Sequence, residues 1–396
     1  VNAPSLHSLQ RAFANGELKL HYQPKVCLLS GRIIGAEALV RWEGAEHGVL
    51  GPDEFLPLAV QSGMLHDITI DLLDQVVAAC RRLRERQSGL SISMNVAPDD
   101  LASQTISQRI GSLLEEGVLE PNELEIEITE AAAMRNVERV RDDLVRLRDL
   151  GIHVLMDDFG TGWSSIDRLS QLPFSSLKLD QGVVRRMGTS RQNLDTVRAA
   201  ISMARELRMT SIAEGVESDG AYNFLIAAGC EQAQGYFIGK PMPLDSFMDF
   251  LRSPRDFAGS QIGRVHQSVF NLIHQRKSVI DAVVCARLGP DTSLPSVRDP
   301  GIADSVQESR VGLWYYGAGQ ALAAIPVFRS IEGPYLQLHE AVHTCLKLVM
   351  EGVLDDSLDR AMGEMDVRTD RLIVQLHALE RELVRDMAME SVQGPR

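Results

Sequence analysis

Three consecutive stretches decide the fold: ELEIEIT (123–129), VERVRDDLVRLRDLG (137–151) and HVLMDDF (153–159). The first alternates apolar and polar residues with a period of two, the pattern of a half-buried strand. In the second, Leu144, Leu147 and Leu150 recur at near-helical spacing while charges fill the other faces, which predicts an amphipathic helix. Gly151 stands where such a helix stops. The third is an apolar strand that ends in two adjacent aspartates. Working outward, further strands are predicted at LKLHYQPKV (18–26), IIGAEALVRW (33–42), LSISMNV (90–96), SSLKLD (175–180), TSIAEG (210–215) and EQAQGYF (231–237). Helical segments such as DITIDLLDQVVAACRRLRER (67–86) lie between most of them. Eight strands alternating with helices in about 250 residues predict an α/β fold, a closed β/α barrel. An open doubly wound sheet is the alternative, but no GxGxxG follows the first strand.

The Pro, Gly and Ser of RSPRDFAGSQIG (252–263) break the alternation, so the barrel is expected over 1–252 and a linker over 253–263. Residues 264–390 then read as helices only, at 264–287, 303–310, 320–330, 334–351 and 355–389. Along the last of these Met362, Met365, Leu372, Leu376, Leu379 and Leu383 form the seam of a helical bundle or of a dimer.

The 396 residues carry 40 Lys and Arg against 54 Asp and Glu, a formal charge of −14. That balance makes the chain a poor candidate for sequence-independent binding to duplex DNA, which needs a cationic face. It leaves room for a small anionic ligand where a metal or a few Arg reverse the local field. No run approaches the roughly 18 apolar residues of a membrane span, and VNAPSLHSLQ lacks the pattern of an export signal. The five cysteines are scattered and form no CxxC, which fits a reducing, cytoplasmic setting. The chain starts at Val1 rather than Met, as a piece of a longer protein would.

Polar residues interrupt the apolar strands at telling places: Glu37, Asn95, Glu127, Asp157, Asp158, Lys178, Glu214 and Gln234. Each falls within or at the end of a predicted strand, and in a β/α barrel strand ends converge on one mouth. A single acid there is usually a cap or an ion-pair partner. Five carboxylates together repel unless cations neutralise them. Their hard oxygens suit Mg²⁺ or Mn²⁺ rather than Zn²⁺. The Asp157–Asp158 pair suggests two ions bridged by one carboxylate, an arrangement suited to in-line attack of water on phosphorus.

With these residues in place, 1–252 resembles the EAL family of cyclic di-GMP phosphodiesterases, named for the triplet Glu37-Ala38-Leu39. The motifs YQPKV (22–26), EALVRW (37–42), NVAP (95–98), EITE (127–130), DDFGTGWSS (157–165), KLD (178–180), EGVE (214–217) and AQGYFIGKPMP (233–243) stand in the expected order. The resemblance implies a modified TIM barrel that cuts one phosphodiester of cyclic di-GMP to give linear pGpG with two Mg²⁺ or Mn²⁺ ions. It makes Glu37, Asn95, Glu127 and Asp157 ligands of the first ion, with Asp157 bridging to a second completed by Asp158 and Glu214. It gives Lys178 the attacking water, and nearby carboxylates favour its positioning that water over taking its proton. Gln23 and Arg41 would hold the substrate, Gln234 would orient it or the water, and Glu130 would anchor the loop DFGTGWSS. Val40 and Trp163 depart from the usual pattern, and neither removes a ligand.

In the helical region His339 and His343 stand at i, i+4, one turn apart on a helix face. With SRVGLWYYGAGQ (309–320) they resemble the chemoreceptor zinc-binding (CZB) domain, a helical bundle that holds Zn²⁺ by three His and one Cys. The resemblance implies His274, His339 and His343 as ligands, with Ser309 at the usual cysteine position and Glu308 or water as a substitute fourth ligand. His266 is a rival to His274. Both resemblances imply a homodimer, and together they imply a phosphodiesterase regulated by zinc.

Overall fold

A computed structural model of the chain describes residues 4–44, 48–97, 100–101, 103–130, 137–160, 172–252, 257, 259–288 and 302–393. Two compact units emerge. The first comprises Val1–Cys27, Arg32–Tyr222 and Cys230–Phe257; the second comprises Leu28–Gly31, Asn223–Gly229 and Ala258–Arg396.

Nine strands lie in one sheet: β1 (Leu18–Cys27), β2 (Ile33–Gly44), β3 (Gly48–Leu50), β4 (Ser91–Asn95), β5 (Leu124–Thr129), β6 (His153–Phe159), β7 (Ser176–Leu179), β8 (Thr210–Ala213) and β9 (Gln232–Gln234). Their order is β1-β9-β8-β7-β6-β5-β4-β2-β3, and β1 also pairs with β2. That extra pairing closes eight strands into a ring and leaves β3 as a spur on β2. All neighbours from β2 through β4 to β9 run parallel, but β1 is antiparallel to both β2 and β9. The eight predicted strands are therefore present in a closed barrel, with the first reversed. A short turn after β1, rather than a helix, forces the reversal. β3 had no signal in the sequence reading; it is only Gly48–Leu50, paired to Trp42–Gly44.

Around the ring lie α1 (Leu6–Ala14), α2 (Pro52–Ser62), α3 (Leu65–Arg84), α4 (Thr105–Glu115), α5 (Val137–Asp149), α6 (Gln181–Arg186), α7 (Arg191–Glu206), α8 (Asp219–Ala228) and α9 (Leu244–Arg252). Leu144 and Leu147 of α5 are fully buried, as their spacing predicts. Gly151 adopts φ 79°, and its N–H donates to the Arg148 carbonyl to end the helix region. Where β2 passes β4 the backbones touch: a Cβ on Gly35 would lie 2.1 Å from the Ser91 carbonyl oxygen.

The second unit holds α10 (Gln261–Leu288), α11 (Arg310–Tyr315), α12 (Pro326–Arg329), α13 (Glu332–Met350) and α14 (Asp356–Gln393). Met365, Leu372, Leu376, Leu379 and Leu383 are buried in one core with Val265, Leu272 and Val279 of α10 and Tyr335, Leu338 and Val342 of α13. The leucine seam thus closes the bundle within one chain. Two helix expectations shift. Residues 303–310 are not helical as a block; α11 begins at Arg310 with Ser309 as its N-cap. The stretch 320–330 divides into a 3₁₀ turn at Ala318–Leu322 and α12, because Pro326 supplies no N–H and starts a new helix. No helix among the described residues is long and apolar enough to cross a membrane.

Candidate active site

Strand registers bring the polar residues to one level. Gln23 lies opposite Glu37 across β1–β2, Asn95 opposite Glu127 across β4–β5, and Thr129 opposite Asp157 across β5–β6. The β6–β7 register slips between Met156 and Phe159. Inside that slip Asp158 has φ 58°, a left-handed conformation that Asp tolerates better than most residues. Its N–H donates to Asp157 Oδ1 at 2.9 Å, so the bulge fixes the Asp157 side chain. Glu214 directly follows β8, its N–H donating to the Leu179 carbonyl. Gln234 ends β9, and Gly235 after it allows backbone contact: a Cβ there would lie 2.2 Å from Val216 N and O.

Lys178 is the hub. Its ammonium is fully buried and bonds Glu127, Glu214 Oε1 at 2.5 Å and Asp157 Oδ1 at 3.2 Å, with Glu37 Oε2 at 3.6 Å. Glu37 in turn accepts from Asn95 Nδ2 at 2.9 Å and from Gln234 Nε2 at 2.5 Å. Gln234 also donates to Gln23 Oε1 at 2.9 Å, and Gln23 Nε2 donates to the Gly239 carbonyl. Arg41 is half-buried, lines the same cleft, and donates to the Val40 carbonyl. Glu130 is buried and accepts from the Gly160 N–H at 3.2 Å, at the start of the loop whose residues 161–171, Trp163 among them, lie outside the described residues.

The electrostatics follow from four carboxylates facing one ammonium. Burial opposes the charge on Lys178, but Glu127, Glu214, Glu37 and Asp157 outweigh it and hold its pKa well above the usual lysine range. Such an ammonium keeps its proton. Burial raises the Glu37 carboxyl, and Lys178 with the Gln234 and Asn95 hydrogen bonds more than reverses this. Glu127 goes the other way, well above the usual range, through burial and the Glu37 charge. Burial pushes Glu214 up to about 8, with Glu37 and Asp157 adding to it against Lys178. Asp158 is raised by burial and by Asp157. Glu127 Oε1 is buried with no hydrogen-bond partner. An excess of negative charge with an unsatisfied buried carboxylate oxygen fits divalent cations. In the geometry described, however, the carboxylates gather on Lys178, and no three His, Cys, Asp or Glu among the described residues are arranged to hold a metal.

Several residues of this region were not singled out by the sequence reading. Gln181, Arg185, Glu217, Tyr236 and Pro241 line the same cleft. Arg185 pairs with Glu217, and Lys240 Nζ sits 5.4 Å from the Tyr236 ring centroid. Glu217, Tyr236 and Pro241 stand inside the motifs EGVE and AQGYFIGKPMP, so the signal for them was present. Deeper in the barrel a second buried ammonium, Lys25, pairs with Glu125, whose Oε1 accepts from Ser91 Oγ at 3.0 Å.

In the bundle, His339 and His343 come together: their Nε2 atoms are 3.3 Å apart, and each lies within 3.3 Å of the Ala303 carbonyl oxygen. Burial and the His343 ring hold His339 below the usual imidazole pKa, so it is neutral near pH 7. His274 is half-buried on α10, and His266 pairs with Glu380. Ser309 is committed elsewhere. Its hydroxyl donates to the Val306 carbonyl, accepts from the Gly312 N–H at 3.0 Å and bonds the Tyr335 hydroxyl.

Known proteins share the barrel. The cyclic di-GMP phosphodiesterase RocR of Pseudomonas aeruginosa is 38% identical over 247 residues, 62% of this chain and 63% of that protein. The cyclic di-GMP phosphodiesterase PdeR of Escherichia coli is 34% identical over 240 residues, 61% of this chain and 36% of that protein. Among solved structures, the PaMucR phosphodiesterase in complex with c-di-GMP superposes with TM-score 0.59 at 35% identity, covering 61% of this chain and 98% of that one. The EAL enzyme Bd1971, solved with cAMP and cyclic di-GMP, gives TM-score 0.59 at 29% identity over 62% of this chain and 68% of that one. The chain spans 63%, 36% and 33% of the length of the curated relatives RocR, MucR and NbdA. The EAL domain family matches residues 6–241, more than half of the sequence and the whole of the closed barrel, and the chain belongs to that family.

Proposed function

We propose that the chain hydrolyses cyclic di-GMP to linear pGpG. The observation that carries this is the constellation of four carboxylates and the Asn95 amide around one buried ammonium at the strand ends, in a family whose relatives are named as phosphodiesterases of that nucleotide. Glu37, Asn95, Glu127 and Asp157 would hold one Mg²⁺ or Mn²⁺ ion, and Asp157, Asp158 and Glu214 a second. When bound, such ions activate water and stabilise the charge that develops on phosphate oxygens. The unsatisfied Glu127 Oε1 and the oxygens now gathered on Lys178 would be available to such ions.

Lys178 orients the attacking water and stabilises negative charge rather than acting as base. Arg41 binds a phosphate or base of the substrate. Gln23 and Gln234, already bonded to each other, position it against Glu37. Glu130 anchors the loop after β6 through Gly160. The test is chromatography of the products with Mg²⁺ or Mn²⁺: pGpG is expected, and Glu37→Ala should abolish it with the fold intact. Substrate binding without pGpG would instead make the chain a receptor.

We further propose that the region 264–390 binds Zn²⁺ through His274, His339 and His343 and regulates the barrel as a homodimer in the cytoplasm. The converging pair His339–His343 supports this. Ser309 is left out of the ligand set because its hydroxyl caps α11. Metal analysis of the purified chain tests it: zinc present in the wild type and lost in His339→Ala is expected, and its absence from both would refute the reading.

A further inference from the structure

The second unit takes in two short segments of the barrel sequence, Leu28–Gly31 and Asn223–Gly229. The first is the turn between β1 and β2. Turns ordinarily expose polar residues, yet this one carries Leu28 and Leu29, 0% and 7% exposed. Arg264, in the first turn of α10, is 1% exposed. A guanidinium removed from water must be hydrogen-bonded, and Arg264 Nη1 donates to the Leu28 carbonyl at 2.9 Å and to the Leu29 carbonyl. The second segment is the end of α8 and the start of the turn that leads to β9. The Ser260 N–H donates to Asn223 Oδ1 at 2.5 Å, and a Cβ on Gly263 would lie 3.2 Å from Ile226 Cγ2. The start of α10 thus holds the segments that continue into β1, β2 and β9.

Those three strands carry Gln23, Glu37 and Gln234, and they meet where the ring is lightly paired. β1 closes on β9 through only three residue pairs, Lys25–Gln234, Val26–Ala233 and Cys27–Gln232. The β1–β2 register slips at the same level, between Lys25 and Val26. The hydrogen bond from Gln234 to Gln23 spans this seam, and Gln234 also bonds Glu37. Leu28 directly follows Cys27 and lies five residues from Gln23, about 17 Å along an extended strand. We propose that Arg264 is a positioning residue for cyclic di-GMP: by holding the Leu28–Leu29 turn it fixes the β1–β9 seam and so the placement of Gln23, Glu37 and Gln234. A paired strand is stiff along its length, so a turn pinned at its end sets where the Gln23 amide stands. The inference rests on the hydrolysis reading above and adds to it a residue outside the cleft.

The experiment compares the full wild-type chain with Arg264→Met, Arg264→Lys and Ser309→Ala, by steady-state hydrolysis of cyclic di-GMP with Mg²⁺ and by backbone amide exchange. Met keeps the bulk and drops the donors, whereas Lys restores a single donating head. Ser309→Ala removes a helix cap in the same unit without touching the turn, and so controls for a general loss of stability. In Arg264→Met, KM is expected to rise by about tenfold or more with a much smaller change in kcat, the signature of weakened substrate binding. Arg264→Lys should fall between Arg264→Met and the wild type, and Ser309→Ala should leave KM unchanged. Exchange in Arg264→Met should quicken at Val26, Cys27 and Gln232–Gln234 and not in β5 or β6. An unchanged KM in both Arg264 variants would overturn the inference. So would an equal rise in KM in Ser309→Ala, or exchange that quickens evenly around the barrel. If Arg264→Met fails to fold, Arg264→Lys carries the same comparison. A wild type that binds cyclic di-GMP without cleaving it would overturn the hydrolysis reading alone, and its Kd then replaces KM in deciding the role of Arg264.

Discussion

Glu37 shows how one residue gathers the site's demands. It accepts from Asn95 and Gln234, faces Lys178, and is held ionised against its own burial. Glu37→Gln removes that charge at nearly constant shape, and turnover should fall by at least about a hundredfold, the scale on which single preorganised electrostatic groups act; product formation in steady state checks this. Lys25 and Glu125 make a separate test of stability. Both are buried and paired, so Glu125→Gln leaves an uncompensated ammonium and should cost about 3–5 kcal/mol, read by denaturant unfolding. Burial raises the Glu125 carboxyl, but Lys25 and the Ser91 hydroxyl hold it below its ordinary value in the folded chain. A depressed folded pKa means its contribution is complete above the unfolded value of about 4.3 and fades as pH falls through the folded one. The stability gap between wild type and Glu125→Gln should therefore narrow only in acid below about pH 4; a gap that widens there would contradict the pairing.

At the scale of elements, Ser309 is the instructive case. As the N-cap of α11 it satisfies the Gly312 N–H and meets the Tyr335 hydroxyl. Ser309→Ala should destabilise the chain by about 1 kcal/mol, the usual worth of such a cap, seen as a lower midpoint in thermal or urea unfolding. The sequence reading expected a helix over 303–310, and the cap explains the shift, because a Ser before RVGLWY is a start signal rather than a helix interior. Strands were legible where alternation was strong: His153–Phe159 has the predicted limits, and Leu18–Cys27 differs by one residue. Invisible to periodicity were the β3 spur, only three residues long, and the slip in β6 that twists Asp158 into a left-handed conformation. Pairing partners determine both, and pairing is non-local. The same limit applies to Lys25–Glu125, two residues 100 apart in the chain whose side chains meet only once the barrel closes.

Across the whole molecule, charge placement joins fold to chemistry. A barrel that runs seven strands parallel and reverses one brings acids from β2, β5, β6 and the end of β8 onto a single buried lysine. The acids were legible because an Asp or Glu in an apolar strand is conspicuous. What the sequence withheld was the ammonium's role as their common partner, since that depends on barrel closure. The measurement that bears most directly on the proposed function is conversion of cyclic di-GMP by the purified chain with Mg²⁺ or Mn²⁺, beside Glu37→Ala of proven fold. Accumulation of pGpG by the wild type and none by the variant is the expected result. Equal turnover by both, or tight binding with no pGpG under either metal, would contradict it.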